Sequence, residues 1–351
     1  MAGIKDVANL AGVSVSTVSN VINNRRYVTE EVRNKVLKAA EALNYQADMM
    51  ARGLKSSRSM TLGVIITKFT RIFFPQVLSG MQSMSNDFGY SLMIHSSNDD
   101  IAEEKNCVKR LLSYRVDGII LDTVASSEDT VYFNYLSNLS TRHKKVPVII
   151  IERDLSGYGL HSLFVDNHQG GRVLVEHLIE KNAKRIAFIS GPGGSEMSQR
   201  RFNGYKEALE SNNIPFDPSL VAHGDFSPMS GCTALKHLFA QGISFDGVFA
   251  SNDQMAVGAI KCILLHGKKV PDDIMVAGFD NTFVASLIKP ALTSIHVPKH
   301  RLGLHAVENL IKITESEEPD HKILRQELPL ELVQRESTAS GWETDWDLNY
   351  W

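Results

Sequence analysis

The chain has 351 residues, a formal net charge of −3 and a 43% hydrophobic composition, enough apolar material for more than one packed unit. Its 3 cysteines, Cys107, Cys232 and Cys262, are scattered and odd in number, which excludes a disulfide-stapled secreted scaffold and fits a reducing compartment. No apolar run approaches bilayer-spanning length and Met1-Ala2-Gly3-Ile4-Lys5 does not open a signal peptide, so a cytoplasmic protein with no membrane partner is expected.

Charge is unevenly placed. Residues 1–60 hold nine Lys/Arg against five Asp/Glu, a local +4 that leaves −7 on the remainder. Such a basic head on an acidic body presents one end to phosphate. Within the head, Ile4, Val7, Ala8 and Ala11 recur at helical spacing, and Gly12 supplies a turn closed to other residues. Ser14 can cap a second helix whose Val18, Val21 and Ile22 share one face, while Ser16, Thr17, Ser19, Asn20 and Asn23 line the other. Two short helices about a tight turn form a helix-turn-helix. Thr29 then serves as N-cap of a third helix, with Glu30 and Glu31 at its positive end and Val32, Val36, Leu37, Ala40 and Leu43 as its apolar stripe. A helical bundle without a DNA role is the plainer alternative, and the lopsided charge weighs against it.

The string from Ile4 to Asn23, the pair Asn44-Tyr45 and the segment Ala51-Arg52-Gly53-Leu54-Lys55 resemble the lactose-repressor/galactose-repressor (LacI/GalR) family of bacterial transcription regulators. The resemblance implies that Val15, Ser16 and Asn20 reach base edges. Most of the family carries Arg at the last of these, which pairs with guanine, whereas Asn pairs with adenine N6 and N7. Ser14, Thr17, Ser19, Asn23, Tyr27 and Thr29 are then phosphate contacts that set register, with Ser14 and Thr29 also read as caps. Residues 47–59 correspond to a hinge helix whose Leu54 wedges into the minor groove beside Lys55. Ala47 stands where many relatives have Pro, so the hinge start is less pre-set. The partner is double-stranded, pseudo-palindromic operator DNA.

From Thr61 onward the pattern changes. Apolar runs at 62–66, 92–94, 118–121, 148–151, 186–189, 248–250 and 275–279 read as strands of a parallel sheet buried on both faces. Amphipathic stretches at 75–88, 102–113, 171–181, 200–211 and 255–266 alternate with them, giving a doubly wound α/β body. The expected fold class is therefore an all-α helix-turn-helix head plus an α/β two-lobed body. The resemblance implies a periplasmic-binding-protein-like arrangement of parallel sheets flanked by helices. Its expected parts are a head over 1–46, the hinge over 47–59, a body over 60–336 and an aromatic-acidic tail over 337–351. Lobe 1 is expected over about 60–158 and 291–320, and lobe 2 over about 162–285 and 325–336, with crossings near 157–162, 281–291 and 320–328.

Ligands gather at the carboxyl ends of such strands. The residues there that match the family's effector positions are Phe73, Phe74, Arg201, Phe226, Asn252 and Asp280, with Glu152-Arg153 a weaker pair. One of the two phenylalanines can instead be core, and Asp253 reads as a helix cap. Lys68 stands where relatives have an acid; it can favour an anionic effector or point to water. A carbohydrate is expected, with a nucleoside, a purine or a protein co-regulator as alternatives. Gly191-Pro192-Gly193-Gly194 lacks the spacing of a phosphate or dinucleotide loop, no nucleophile elbow is present, and neither Cys nor His shows zinc spacing. No enzyme, cofactor or metal is expected. One head buries too little surface for tight operator binding, so a homodimer is expected. The tail gathers Trp342, Trp346 and Trp351 but lacks leucine heptads, which favours dimer over tetramer.

Overall fold

A computed structural model describes residues 2–23, 28–45, 58–139, 146–316 and 322–339. Tyr27, Leu54, Lys55, the side chain of Asn23 and the three tryptophans lie outside the described residues. The chain divides into Met1–Met60 and Thr61–Trp351.

The first unit holds α1 (Ile4–Ala11), α2 (Val15–Asn23) and α3 (Glu30–Ala42). The carboxylate of Asp6 accepts from the Gly3 N–H at 2.7 Å and anchors the start of α1. Gly12 ends that helix with φ +66°, a left-handed conformation costly for residues with a Cβ. The small core joins Val7, Ala8, Val18, Val21, Val36 and Ala39, so all three helices contribute. Leu37, expected in the α3 stripe, is instead 48% exposed: one residue is a 100° step, which carries it off the face shared by Val36 and Ala39.

The second unit alternates strand and helix. In chain order it contains β1 (Thr61–Ile66), α4 (Phe74–Asp87), β2 (Ser91–Ser96), α5 (Ile101–Ser113), β3 (Gly118–Leu121), α6 (Thr130–Leu139), β4 (Val148–Ile151) and β5 (His161–Val165). There follow α7 (Asn167–Glu180), β6 (Ile186–Ser190), α8 (Glu196–Ser211), β7 (Val221–His223), α9 (Pro228–Ala240), β8 (Gly247–Ala250), α10 (Asp253–Leu265) and β9 (Met275–Asp280). After the short α11 (Val284–Leu287) come β10 (Thr293–His296), α12 (Lys299–Glu315), β11 (Arg325–Leu328) and β12 (Glu331–Val333). The first sheet is ordered β11-β5-β4-β3-β1-β2 and the second β12-β10-β9-β8-β6-β7, so both lobes repeat one winding scheme. Pairing is parallel except between β10 and β12. Strand order reverses between β1 and β3 in one lobe and between β6 and β8 in the other, the places where loops splay apart and leave a crevice.

The lobe crossings correct the sequence reading. They fall between β5 and α7, between β10 and α12, and between β11 and β12, each later than expected. Residues 161–165 and 325–328 thus belong to the first sheet and 293–296 to the second. The cause is local: His161, Ser162, Thr293 and Ser294 are buried polar residues that break the apolar run, and Arg325–Leu328 is an edge strand. In the first lobe, α12 lies directly on α4. A Cβ at Gly303 would collide with the Val77 carbonyl, and one at Gly80 with that of His300, so glycine is required for this approach.

Candidate DNA-reading head and effector cleft

On α2, the Ser14 hydroxyl accepts from the Thr17 N–H at 3.1 Å and bonds the hydroxyls of Ser16 and Thr17 at 2.7 and 2.9 Å. Ser14 is therefore the helix cap, and those contacts organise the N-terminal turn that a recognition helix points at bases. Val15 is 40% exposed and Ser16 is exposed, so both are accessible on that turn; Thr17, Ser19 and Asn20 are half-buried. Thr29 occupies the N-cap position of α3 with an extended backbone, yet its side chain makes no capping bond there.

All six expected effector residues line one cleft between the two sheets, at the carboxyl ends of their strands. Phe73 and Phe74, both buried, meet edge to face with centroids 5.4 Å apart at the start of α4. Opposite them, Phe226 holds a left-handed φ of +68°. Arg201, 3% exposed on α8, donates from Nε to Asn167 Oδ1 at 2.7 Å and from Nη1 to the Ser251 carbonyl, and its Nη2 faces Asp280 Oδ1 at 3.4 Å. Its guanidinium lies 3.6 Å from the Phe279 ring centroid. Those contacts fix the fork in one orientation. Asp280 ends β9 at φ +102°, a strained value for a residue with a Cβ. Burial pushes its carboxyl up to about 7, outweighing the charge of Arg201.

Asn252, in the cleft lining, also has a structural part. Its Oδ1 caps α10 through the Met255 N–H at 2.9 Å, and its Nδ2 donates to the Phe226 carbonyl at 3.1 Å, so it holds an aromatic wall in place. Asp253, expected as the cap, instead accepts from the Thr282 N–H, the Thr282 hydroxyl and the Ser294 hydroxyl at 2.6, 2.9 and 2.6 Å, binding the loop after β9.

Asp122 after β3, Arg71 before α4 and Gln254 on α10 also line the cleft, and sequence reasoning passed over their role. Asp122 had a signal, since it follows an apolar strand as directly as Asp280 does. Gln254 had none. Asp122 Oδ1 and Glu152 Oε1 are buried without a hydrogen-bond partner among the described residues. Burial raises their carboxyls to about 6 and about 8 respectively. Across the cleft, Gln254 Oε1 accepts from the Ile72 N–H at 3.1 Å, Arg71 sits 4.8 Å from the Phe226 centroid, and Arg153 pairs with Glu196. Lys68 is half-exposed, 3.7 Å from Asp99, and lies outside the lining.

Residues 3–48 match the bacterial regulatory proteins of the lacI family, and residues 175–338 match a periplasmic binding protein-like domain. The "HTH-type transcriptional repressor PurR" of Vibrio campbellii is 33% identical over 335 residues, covering 95% of this chain and 98% of that protein. The chain belongs to the lacI family. The "Ribose operon repressor" of Halalkalibacterium halodurans is 31% identical over 341 residues, covering 97% of this chain and 98% of its own. A Lac repressor dimer bound to operator and the anti-inducer ONPF superposes with a TM-score of 0.85 at 29% identity, covering 97% of this chain and 99% of that one. This lacI-family protein is a DNA-binding transcriptional repressor and not an enzyme. No helix among the described residues is long and apolar enough to cross a membrane.

Proposed function

We propose that the protein acts in the cytoplasm as a homodimer on a pseudo-palindromic operator, and that a neutral carbohydrate in the cleft sets its affinity for DNA. The observation that carries the ligand class is the pair of buried, unpartnered carboxyl oxygens of Asp122 and Glu152. Sugar hydroxyls both donate and accept, so they satisfy a site in which Glu152 stays protonated near neutrality and Asp122 largely does not. Phe73 and Phe226 offer apolar faces for the ring. Three arginines at the cleft already face carboxylates: Arg71 with Asp99, Arg153 with Glu196, Arg201 with Asp280. That pairing disfavours the anionic effector which Lys68 suggested.

A purine is the second reading, favoured by the relative named PurR; a planar base could lie against the same phenylalanines and donate N–H groups to the same carboxyls. Calorimetry with pentoses, hexoses, disaccharides, their phosphates, and purine bases separates the two. Heat from a neutral sugar is the expected result. Response to hypoxanthine or guanine alone would replace the sugar with a base, and a preference for sugar phosphates would overturn the charge argument.

The head over 1–46 is proposed to read the operator through Val15, Ser16 and Asn20. Ser14, Thr17, Ser19, Asn23, Tyr27 and Thr29 bind phosphate. The hinge over 47–59 places Leu54 and Lys55 in the minor groove. Because Asn suits adenine and Arg suits guanine, Asn20→Arg should move one operator position from A towards G by about 1–3 kcal/mol of discrimination. Selection from randomised duplexes reads this directly, and an unchanged preference would remove Asn20 from base readout. Effector and operator are linked, so each changes the other's affinity by the same factor.

A further inference from the structure

Lys299 is 1% exposed, a burial that a lysine tolerates only when its ammonium is fully engaged. Its Nζ donates to the carbonyls of Asp280, Asn281 and Val297, the latter two at 3.0 and 3.1 Å. Three donors thus meet three acceptors. Those acceptors are not ordinary carbonyls. Asp280 and Asn281 both hold left-handed backbone, at φ +102° and +47°, and Val297 lies in the second crossing between lobes.

Lys299 is also the first residue of α12, whose glycine contact with α4 leads back to Phe74 in the cleft lining. One ammonium therefore joins the strained end of β9, which aims the Asp280 carboxylate at Arg201, to the segment that crosses between the lobes. The sequence shows only a Pro-Lys after a strand, with nothing to mark it.

We propose that Lys299 is a positioning residue: it holds the Asp280–Asn281 backbone in its left-handed form and ties that end of the effector cleft to the lobe crossing. The inference rests on the cleft being the effector site, though its first test does not. Without the ammonium, the strained backbone relaxes, Asp280 leaves Arg201, and occupancy of the cleft no longer reaches α12.

The test uses the full-length protein and Lys299→Met, with Lys299→Gln as the variant that retains a donor. The amides of Asn281 and Thr282 are bonded to Ser294 Oγ and Asp253 Oδ2, so hydrogen exchange reports on this turn without any ligand. Exchange at 281–283 should quicken about tenfold or more in Lys299→Met and less in Lys299→Gln, while β1, β3, β6 and β8 keep their protection. Unchanged exchange at 281–283 would overturn the proposal, as would an even rise across both sheets in both variants. D-ribose and hypoxanthine serve as probes in a second arm. Whichever raises the melting temperature of the unaltered protein should lose most of that shift in Lys299→Met, and a retained shift would count against positioning. If neither probe binds the unaltered protein, the ligand reading is weakened while the exchange arm still decides Lys299.

Discussion

Arg201→Met is expected to abolish effector binding and to destabilise the body by about 3–5 kcal/mol, the range for removing one partner of a buried ion pair. The guanidinium ties α7 through Asn167, β8 through Ser251 and β9 through Asp280, so its loss frees three elements at once. Methionine preserves volume and contact with the Phe279 ring, which isolates the polar contribution from a cavity. The variant leaves Asp280 in a buried site without the cation that faces its carboxylate. Its carboxyl, already raised to about 7, must rise further, and the variant should lose more stability relative to the parent at pH 8.5 than at pH 6. Urea titrations at the two pH values read the difference, and calorimetry reads the ligand. A loss of equal size at both would mean that Asp280 does not depend on Arg201. The head has its own core, drawn from α1, α2 and α3, so the variant's affinity for non-specific duplex DNA should be retained.

The parts of the structure that could be read in the sequence share a physical signature. Strands buried on both faces, such as Gly118–Leu121 and Val148–Ile151, are uninterrupted apolar runs, and their ends were placed to the residue. Helices with one wet face gave periodic patterns, though starts at Asn167 and Glu196 escaped because their first turns are polar capping segments. Missed strands were those whose neighbours, rather than whose own residues, specify them. His161–Val165 and Thr293–His296 bury polar side chains that find partners elsewhere: His161 Nδ1 accepts from the Leu324 N–H, and Thr293 Oγ1 bonds Thr338. A single residue cannot announce a partner some 160 positions away.

The cleft divides the same way. Asp280 and Arg201 were legible because a charged residue at the end of an apolar run, or in a recurring motif, needs a reason to be there. The roles of Asn252 and Asp253 were not legible. Adjacent short acceptors at a helix start look interchangeable in sequence, and only the position of β9 decides which one caps and which one reaches Thr282 and Ser294. Gln254 shows the limit most clearly. Its contact with the Ile72 N–H exists only because the lobes face each other across the cleft.

Stability should also depend on a carboxyl outside the cleft. Glu104 on α5 is fully buried; it accepts from the Thr123 hydroxyl and the Val124 N–H, both at 2.7 Å. Those bonds favour the charged form, but burial wins and pushes the carboxyl up to about 7 from 4.5. The folded state therefore binds a proton that the unfolded chain has released, and the resulting stability is complete below about pH 4.5 and lost as pH rises through about 7. A shift of this size corresponds to about 3 kcal/mol between the two ends of that window. Glu104→Gln keeps the shape and one acceptor while removing the titration. Its stability relative to the parent should improve by about that amount from pH 4.5 to pH 8, measured by urea unfolding. A difference that stays flat across the window would mean that Glu104 is ionised throughout. The consequence reaches the ligand site, because Glu104 secures the backbone of Thr123 and Val124 immediately after Asp122.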